Sequence, residues 1–483
     1  MIPTKLSVHT LANIIGIVVP MLVTLCAIPL YLSLIGTAQY GTLLLVVSLL
    51  AYFAAFDFGI GQAVNRSLAS EDDRTENSLT LWAGLCIGLV VSLVGSGILY
   101  FVAGSLFHYV FIFTEQTRAE AMTTIPLLVF IVPIMSLTSI LSGALQGKSL
   151  FIQSNIAQTV GFSSIQLLPL FAAALGYHTL MPLILFSTFG RVCWLLLLGI
   201  MVQHAIKPEF PKLSKKHALK LFNFGSWATV SGLTVPFLTV VDRVFIATLM
   251  GSASVAVSSI AFTINMRMYL LPIALSAALF PLFSKSDFSS LRLTLEKGIR
   301  VLTGIQTPIL VMIILFIHPF LDVWLGSAMS AKLSTLILIL VIGVWINGPN
   351  YTPHTLLTAS GRPDIFARIY LAELAPFLIS LWYAITYFGL VGAMWIITIR
   401  YIFDAVLAFK LTHSTKLFIH SWVQTVPAIT VAYVGALNID NPILYAICCV
   451  LSLVLSVITV IKVVPKDVLN QVLHTLKLNY AFQ

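Results

Sequence analysis

Residues 180–206 read LMPLILFSTFGRVCWLLLLGIMVQHAI. From Leu180 to Gln203 the one charged side chain is Arg191, and the run is longer than the roughly 20 apolar residues a helix needs to cross a bilayer. It predicts a membrane-spanning helix with an arginine near mid-depth. The rest of the chain repeats the pattern. Hydrophobic residues make up 59% of its 483 residues and charged residues 9%, against about 25% charged in a soluble domain. Because this composition runs from end to end, it excludes a water-soluble globule and a soluble domain with a single anchor. Disorder, fibres and disulfide scaffolds fall on the same figures. Cys26, Cys86, Cys193, Cys448 and Cys449 all lie in apolar stretches without metal-type spacing and read as small buried hydrophobes. Met1 to Pro20 runs into the first span without a cleavage site, so no removable signal peptide is expected. The expectation is an all-α polytopic membrane protein.

Fourteen apolar stretches of spanning length start near Val8, Tyr40, Ser78, Ala121, Leu150, Leu180, Leu221, Val255, Ile299, Leu333, Ile365, Val391, Trp422 and Pro442. They leave short loops and no room for a soluble domain. Basic residues orient them. With the N-terminus inside, 20 of the 26 Lys and Arg residues fall on the cytoplasmic side, and only Arg118 and Lys332 fall outside. A miscounted span would swap every later loop and destroy this asymmetry. The net charge of +9 therefore reads as an orientation signal; nucleic-acid binding would need a soluble basic surface.

The largest cytoplasmic loop, Lys207 to Lys220, is basic and carries Pro208 and Pro211, as a linker between two six-helix halves would. Glycine turns recur at near-constant spacing: Gly36 with Gly251, Gly147-Lys148 with Gly361-Arg362, and Gly176 with Gly389. The expected organisation is a first six-helix lobe over 1–206, a linker over 207–220, a second lobe over 221–412 and two extra helices with a cytoplasmic tail over 413–483. Because each repeat holds an even number of spans, the lobes run in the same direction, a plan known from rocking transporters.

Eight ionisable residues fall inside the spans: Asp57, Arg191, Asp242, Arg243, Arg267, Glu373, Arg400 and Asp404. Such groups are expensive in a bilayer and face a cavity or a partner. Arginine cannot escape by deprotonating, so four buried arginines commit the interior to anions or carboxylates. Arg400 and Asp404, four residues apart, could satisfy each other. Asp242 and Arg243 occupy different helix faces, so each needs its own partner. Arg191 and Arg267 have no acid within a turn, which makes them the leading contacts for an anionic substrate, with Arg243 and Arg400 as further candidates. Asp57, Asp242, Glu373 and Asp404 are the candidate ion-coupling carboxylates, although Asp57, close to the inner interface, reads first as a group that satisfies neighbouring helix ends. Span ten holds Asn347-Gly348-Pro349-Asn350-Tyr351-Thr352-Pro353-His354, which cannot sit in an unbroken lipid-facing helix and predicts broken backbone lining a cavity. Asn265, Asn347 and Asn350 are candidate substrate contacts. Gln153, Asn155, Gln158 and Gln166 on span five either add lining or serve as packing glue.

At these residues the chain resembles a known family. Gly36-Thr37-Ala38-Gln39-Tyr40-Gly41 and Phe56-Asp57-Phe58-Gly59-Ile60-Gly61 resemble the opening of polysaccharide repeat-unit flippases. Val241-Asp242-Arg243-Val244-Phe245-Ile246 with Met250-Gly251 is similar to their seventh-span motif, Leu279-Phe280-Pro281-Leu282-Phe283-Ser284 to their eighth-span exit, and Gly361-Arg362-Pro363 to their tenth-span turn. These are the Wzx-type, or polysaccharide transport, branch of the MATE-like multidrug/oligosaccharidyl-lipid/polysaccharide exporter superfamily. The resemblance implies 12 to 14 helices in two lobes around a cationic cavity, in the bacterial inner membrane with both termini cytoplasmic. It also implies transport of an undecaprenyl-pyrophosphate-linked oligosaccharide, such as an O-antigen unit, by alternating access, with other polysaccharide assembly proteins as partners. A pyrophosphate would need arginines, and a sugar would need polar and aromatic walls. No Gly-rich phosphate loop is present, so no nucleotide, nucleic acid or cofactor is expected, and energy would come from an ion gradient or from product consumption. Two alternatives remain open. One is a cation-coupled drug exporter, which the buried arginines disfavour. The other is a membrane-embedded O-antigen polymerase or ligase, which the short outer loops disfavour.

Overall fold

In hydrocarbon no water satisfies the backbone, so a spanning chain must close its hydrogen bonds within each segment. The computed structural model does this with helices throughout; no strand occurs among the described residues, which are 4–54, 59–70, 73–209, 214–219, 221, 241–285, 288–362 and 364–470. The helices are α1 (Thr4–Ala54), α2 (Ile60–Ala69), α3 (Arg74–Ser105), α4 (Glu115–Gly147), α5 (Phe151–Ala174) and α6 (Leu180–Ile206). Then come α7 (241–250), α8 (Ser252–Met268), α9 (Leu270–Lys285), α10 (Phe288–Leu325), α11 (Ser327–Asn347) and α12 (Tyr351–Ala359). The last four are α13 (Asp364–Leu411), α14 (Thr415–Val423), α15 (Val426–Leu437) and α16 (Pro442–Val463). Side-chain oxygens close several starts. Asp73 accepts from the Thr75 amide at 3.1 Å, Thr114 from Thr117 at 3.2 Å and Asn441 from Leu444 at 3.2 Å, each satisfying an amide that the helix leaves open.

Among the described residues nine helices are long and apolar enough to cross a membrane, or 11 when the bent pairs α8–α9 and α14–α15 each count as one. The expected fourteen is not reached. Spans one and two run together as α1, which bends at Gly36 (φ 75°). Spans eleven and twelve run together as α13, which bends at Gly389 (φ 59°). Most of expected span seven, 222–240, lies outside the described residues, as does Asp57. A chain reversal at a single left-handed glycine leaves no loop to mark the boundary.

The expected glycine turns have positive φ at Gly36, Gly176, Gly251, Gly361 and Gly389, where a Cβ is disfavoured. In the inner turn near Gly147 the left-handed residue is Ser149 (φ 57°) instead. Span ten breaks where its sequence predicts: α11 ends at Asn347, Gly348–Asn350 form a single 3₁₀ turn, and α12 restarts at Tyr351. Pro349 and Pro353 lack the amide that an unbroken helix would use.

The chain divides into two compact units, Met1–Ser259 and Ile260–Gln483, with the division inside α8. In the first, Ile60, Val64, Leu81, Ile140, Ala144 and Leu198 share a core. There α2 meets α4 so closely that a Cβ on Gly143 would overlap the Gly61 carbonyl. In the second, Phe409 and Phe418 stack with ring centroids 4.0 Å apart, within a core that includes Leu279, Phe283, Leu295 and Ile299. At the end of this unit the Lys297 ammonium donates to Asp467, and that hydrogen bond holds the Asp467 carboxyl below its ordinary range.

The α2–α4 approach generates a stability prediction. Gly143→Val forces the helices apart, an overpacking penalty of about 1–3 kcal/mol, and lowers the melting temperature of the detergent-purified protein. Gly97→Val, at an exposed position on α3 with no neighbour within 4 Å of its Cβ, leaves melting unchanged. Equal melting of the two variants would contradict the packing described here.

Candidate functional site

In the first unit Arg191 sits on α6 with 5% of its surface exposed. Its guanidinium donates to the Ser187 carbonyl at 3.2 Å and to the Ser187 hydroxyl, one turn earlier on the same helix. Its Nε has no acceptor, and no ion pair to Arg191 occurs among the described residues. The side chain is therefore a buried, undischarged cation held by neutral oxygens. Arg243 on α7 behaves similarly: its guanidinium donates to the Ser48 hydroxyl of α1 at 2.6 Å, and its Nε has no acceptor. The Asp242 carboxylate accepts the Arg243 backbone N–H at 2.7 Å. No hydrogen bond joins Arg191 to Arg243 among the described residues.

On α5 the Gln158 side chain serves helix packing. Gln158 donates to the Ser142 hydroxyl at 3.1 Å and to Ser154 at 3.2 Å, while Gln146 reaches Ser154 at 3.3 Å. The Gln166 carbonyl accepts from the Tyr31 hydroxyl at 2.7 Å, and Tyr31 stacks on Tyr40 across the Gly36 bend, 5.2 Å between centroids.

The second unit gathers more of the candidates. On the two limbs of α13, Arg400 Nε lies 3.2 Å from Glu373 Oε1, and the guanidinium carbon sits 5.0 Å from the centre of the Phe377 ring. This corrects the pairing of Arg400 with Asp404, which forms no ion pair among the described residues. The Gly389 bend folds the limbs together, and Glu373 on the opposite limb takes the arginine. Asp404 instead lies within hydrogen-bonding reach of Glu373. Asn347 of α11 donates to the Tyr401 carbonyl at 2.7 Å, next to Arg400. Asn350 is buried in the 3₁₀ turn with its Oδ1 unpartnered.

Asn265 is fully buried on α8 with neither amide atom partnered. Arg267 is half-buried in the last turn of α8, its Nε without an acceptor, just before the chain bends 41° into α9.

Sequence reasoning missed the aromatic wall around the Glu373–Arg400–Asp404 group. The Tyr269 ring lies 5.5 Å from Tyr351 and 6.0 Å from Tyr401, and Tyr370 borders all three charged residues. Tyrosines at membrane depth pass as core side chains, and only folding brings these four together. Gln306 was missed too. It is buried on α10, donates to the Val344 carbonyl at 3.2 Å, and packs where any Cβ on Gly348 would overlap it. That overlap explains a glycine at the break of span ten.

With the geometry established, the chain can be set beside known proteins. The family model described as polysaccharide biosynthesis protein matches residues 5–287, and a MatE model matches residues 228–384. A Shigella flexneri protein named "Putative O-antigen transporter" is 26% identical over 398 residues, covering 82% of this chain and 94% of that protein. Among solved structures, the lipid II flippase MurJ in an inward closed conformation superposes with a TM-score of 0.76 at 14% identity, covering 94% of this chain and 97% of its own. An inward-facing multidrug resistance MATE family transporter of the MOP superfamily superposes with a TM-score of 0.63 at 16% identity, over 85% and 98%. The two structures establish the fold, and the match over 5–287 establishes the family. The chain is a multi-pass membrane protein that belongs to the polysaccharide biosynthesis protein family.

Proposed function

We propose that the chain is a flippase that carries an undecaprenyl-pyrophosphate-linked oligosaccharide, an O-antigen or similar polysaccharide repeat unit, across the bacterial inner membrane. The observation that carries this reading is Arg191, buried with Ser187 as its one hydrogen-bond partner among the described residues. Burying a cation without a counter-charge is unfavourable, and an anionic substrate that enters the first unit would relieve it. A pyrophosphate supplies the charge and the acceptor geometry that a guanidinium matches best. Arg243, held by Ser48 among the described residues and also short of an acceptor at Nε, adds a second donor. The Shigella flexneri relative named "Putative O-antigen transporter" supports the choice of cargo.

The same reading has the chain working by alternating access, with energy from an ion gradient. Its organisation is two six-helix lobes, 1–206 and 221–412, joined by the basic 207–220 linker and followed by 413–483. Both termini are cytoplasmic, which the distribution of Lys and Arg supports. Other polysaccharide assembly proteins are its natural partners. The protein acts as a transporter and forms no new glycosidic bond.

Two predictions follow from the arginines and from the orientation. Losing a charge-assisted contact worth about 2 kcal/mol weakens binding roughly thirtyfold. Cells carrying Arg191→Ala in place of the wild-type chain should therefore lose most surface polysaccharide at an unchanged membrane level of the protein, and Arg191→Lys should restore part of it. Full display by Arg191→Ala would remove this residue from the substrate site, and drug sensitivity without a polysaccharide defect on deletion would favour a drug exporter. Cysteines introduced at Arg118 and Lys332, in a background free of native cysteine, should react with a membrane-impermeant maleimide from outside. Cysteines at Lys148 and Arg362 should react only after permeabilisation, and the reverse pattern would invert the topology.

A further inference from the structure

The second unit treats charge differently from the first. Around Arg400 stand two carboxylates, Glu373 at 3.2 Å and Asp404 within hydrogen-bonding reach of Glu373. One guanidinium against two carboxylates leaves the group one negative charge in excess if both acids are ionised. Glu373 is 9% exposed and Asp404 half-buried, at a depth where an uncompensated charge is costly. Glu373 Oε2 and Asp404 Oδ1 both lack a hydrogen-bond partner. Two ionised carboxylates are acceptors only, so neither can satisfy the other. The Tyr269 hydroxyl, on a side chain 4% exposed that borders Asp404 and Arg400, is also unpartnered.

A single proton resolves the charge excess and the contact between the two acids. It turns one carboxyl into a donor for the other, a pairing known for adjacent acids, and brings the charge of the group to zero. A metal cation fits less well, because it would need several oxygens in place of one bond and would sit beside the Arg400 guanidinium. Neighbouring titratable groups come from every element packed here: Tyr269 between α8 and α9, Tyr351 and His354 on α12, and Tyr370 and Tyr401 on α13. The His354 ring lies against Phe366, tilted by 32° with centroids 4.0 Å apart; among the described residues Arg400 is the cation that pairs with these acids.

We infer that Glu373 and Asp404 share one exchangeable proton beside Arg400, and that this proton is the ion to which transport is coupled. The coupling half rests on the flippase reading above; the shared proton does not. When the proton leaves, Arg400 is left facing two anionic carboxylates, and the Tyr269 hydroxyl can donate to the uncovered oxygen. The two protonation states therefore favour different packing of the two α13 limbs around Gly389.

Two measurements on the purified full-length protein test this. Infrared difference spectroscopy over a pH series should show one protonated-carboxyl band that disappears as pH rises. The band should be lost in both Glu373→Gln and Asp404→Asn and be insensitive to added sodium. These isosteric variants should elute from size exclusion as the wild type does; if either does not, Asp404→Glu, which keeps an acid, should retain a shifted band. A wild type without a titrating band, or a band that survives in both variants, would overturn the shared proton. In proteoliposomes loaded with a pH-sensitive dye, adding lipid-linked oligosaccharide should change the internal pH for wild type and not for Asp404→Asn. Flipping without a pH change, or flipping that needs sodium, would overturn the coupling role. A titrating band in a protein that does not flip the lipid at all would instead refute the flippase reading and leave the dyad standing.

Discussion

A polar group in the hydrocarbon layer has no water to fall back on, so its partner must be another part of the protein or a ligand. This constraint organises the structure at every scale. It makes the spanning segments helical among the described residues. It sends the side-chain amide of Asn347 to the Tyr401 carbonyl where span ten breaks, and the side-chain amide of Gln306 to the Val344 carbonyl. It also gives weight to each group whose pairing is incomplete. Arg191, Arg243, Glu373, Asp404 and Tyr269 each retain a buried polar atom without a partner, and all five lie in the candidate site regions.

The in-span charges cancel as a sum but not locally. In the first unit Arg191 and Arg243 are steadied by serines, Ser187 and Ser48, which align a guanidinium without discharging it. In the second unit Arg400 has more carboxylate than it needs. A hydroxyl-held arginine stays available to an anion, whereas an arginine among acids is already committed. On the reading proposed above, the first arrangement would suit a pyrophosphate and the second a proton.

Much of this was legible in the sequence because bilayer chemistry is severe. Apolar runs such as Leu180–Ile206 declared the fold class. The glycines at 36, 176, 251, 361 and 389 marked turns, since left-handed backbone excludes most side chains. The Asn and Pro cluster at 347–353 marked the break in span ten. The isolation of Arg191 was readable because no acid lies within a turn of it. Long-range pairing was not readable. Spacing alone put Arg400 with Asp404, but the bend at Gly389 brings Glu373 from 27 positions earlier in the chain into contact. Likewise no local pattern ties Tyr269, Tyr351, Tyr370 and Tyr401 together. The helix tally falls short of fourteen because α1 and α13, each bent at one glycine, count as one helix apiece and most of span seven lies outside the described residues.

The most direct measurement of transport uses purified protein in liposomes that contain a fluorescent undecaprenyl-pyrophosphate-linked oligosaccharide. A membrane-impermeant reagent quenches the outer-leaflet fraction, and mass spectrometry follows the sugar. If the chain is a flippase that grips the pyrophosphate through Arg191, the quenchable fraction rises with time, the lipid-linked sugar keeps its mass, and Arg191→Ala abolishes the rise. An unchanged quenchable fraction, or a new glycosidic bond in the product, would contradict that function.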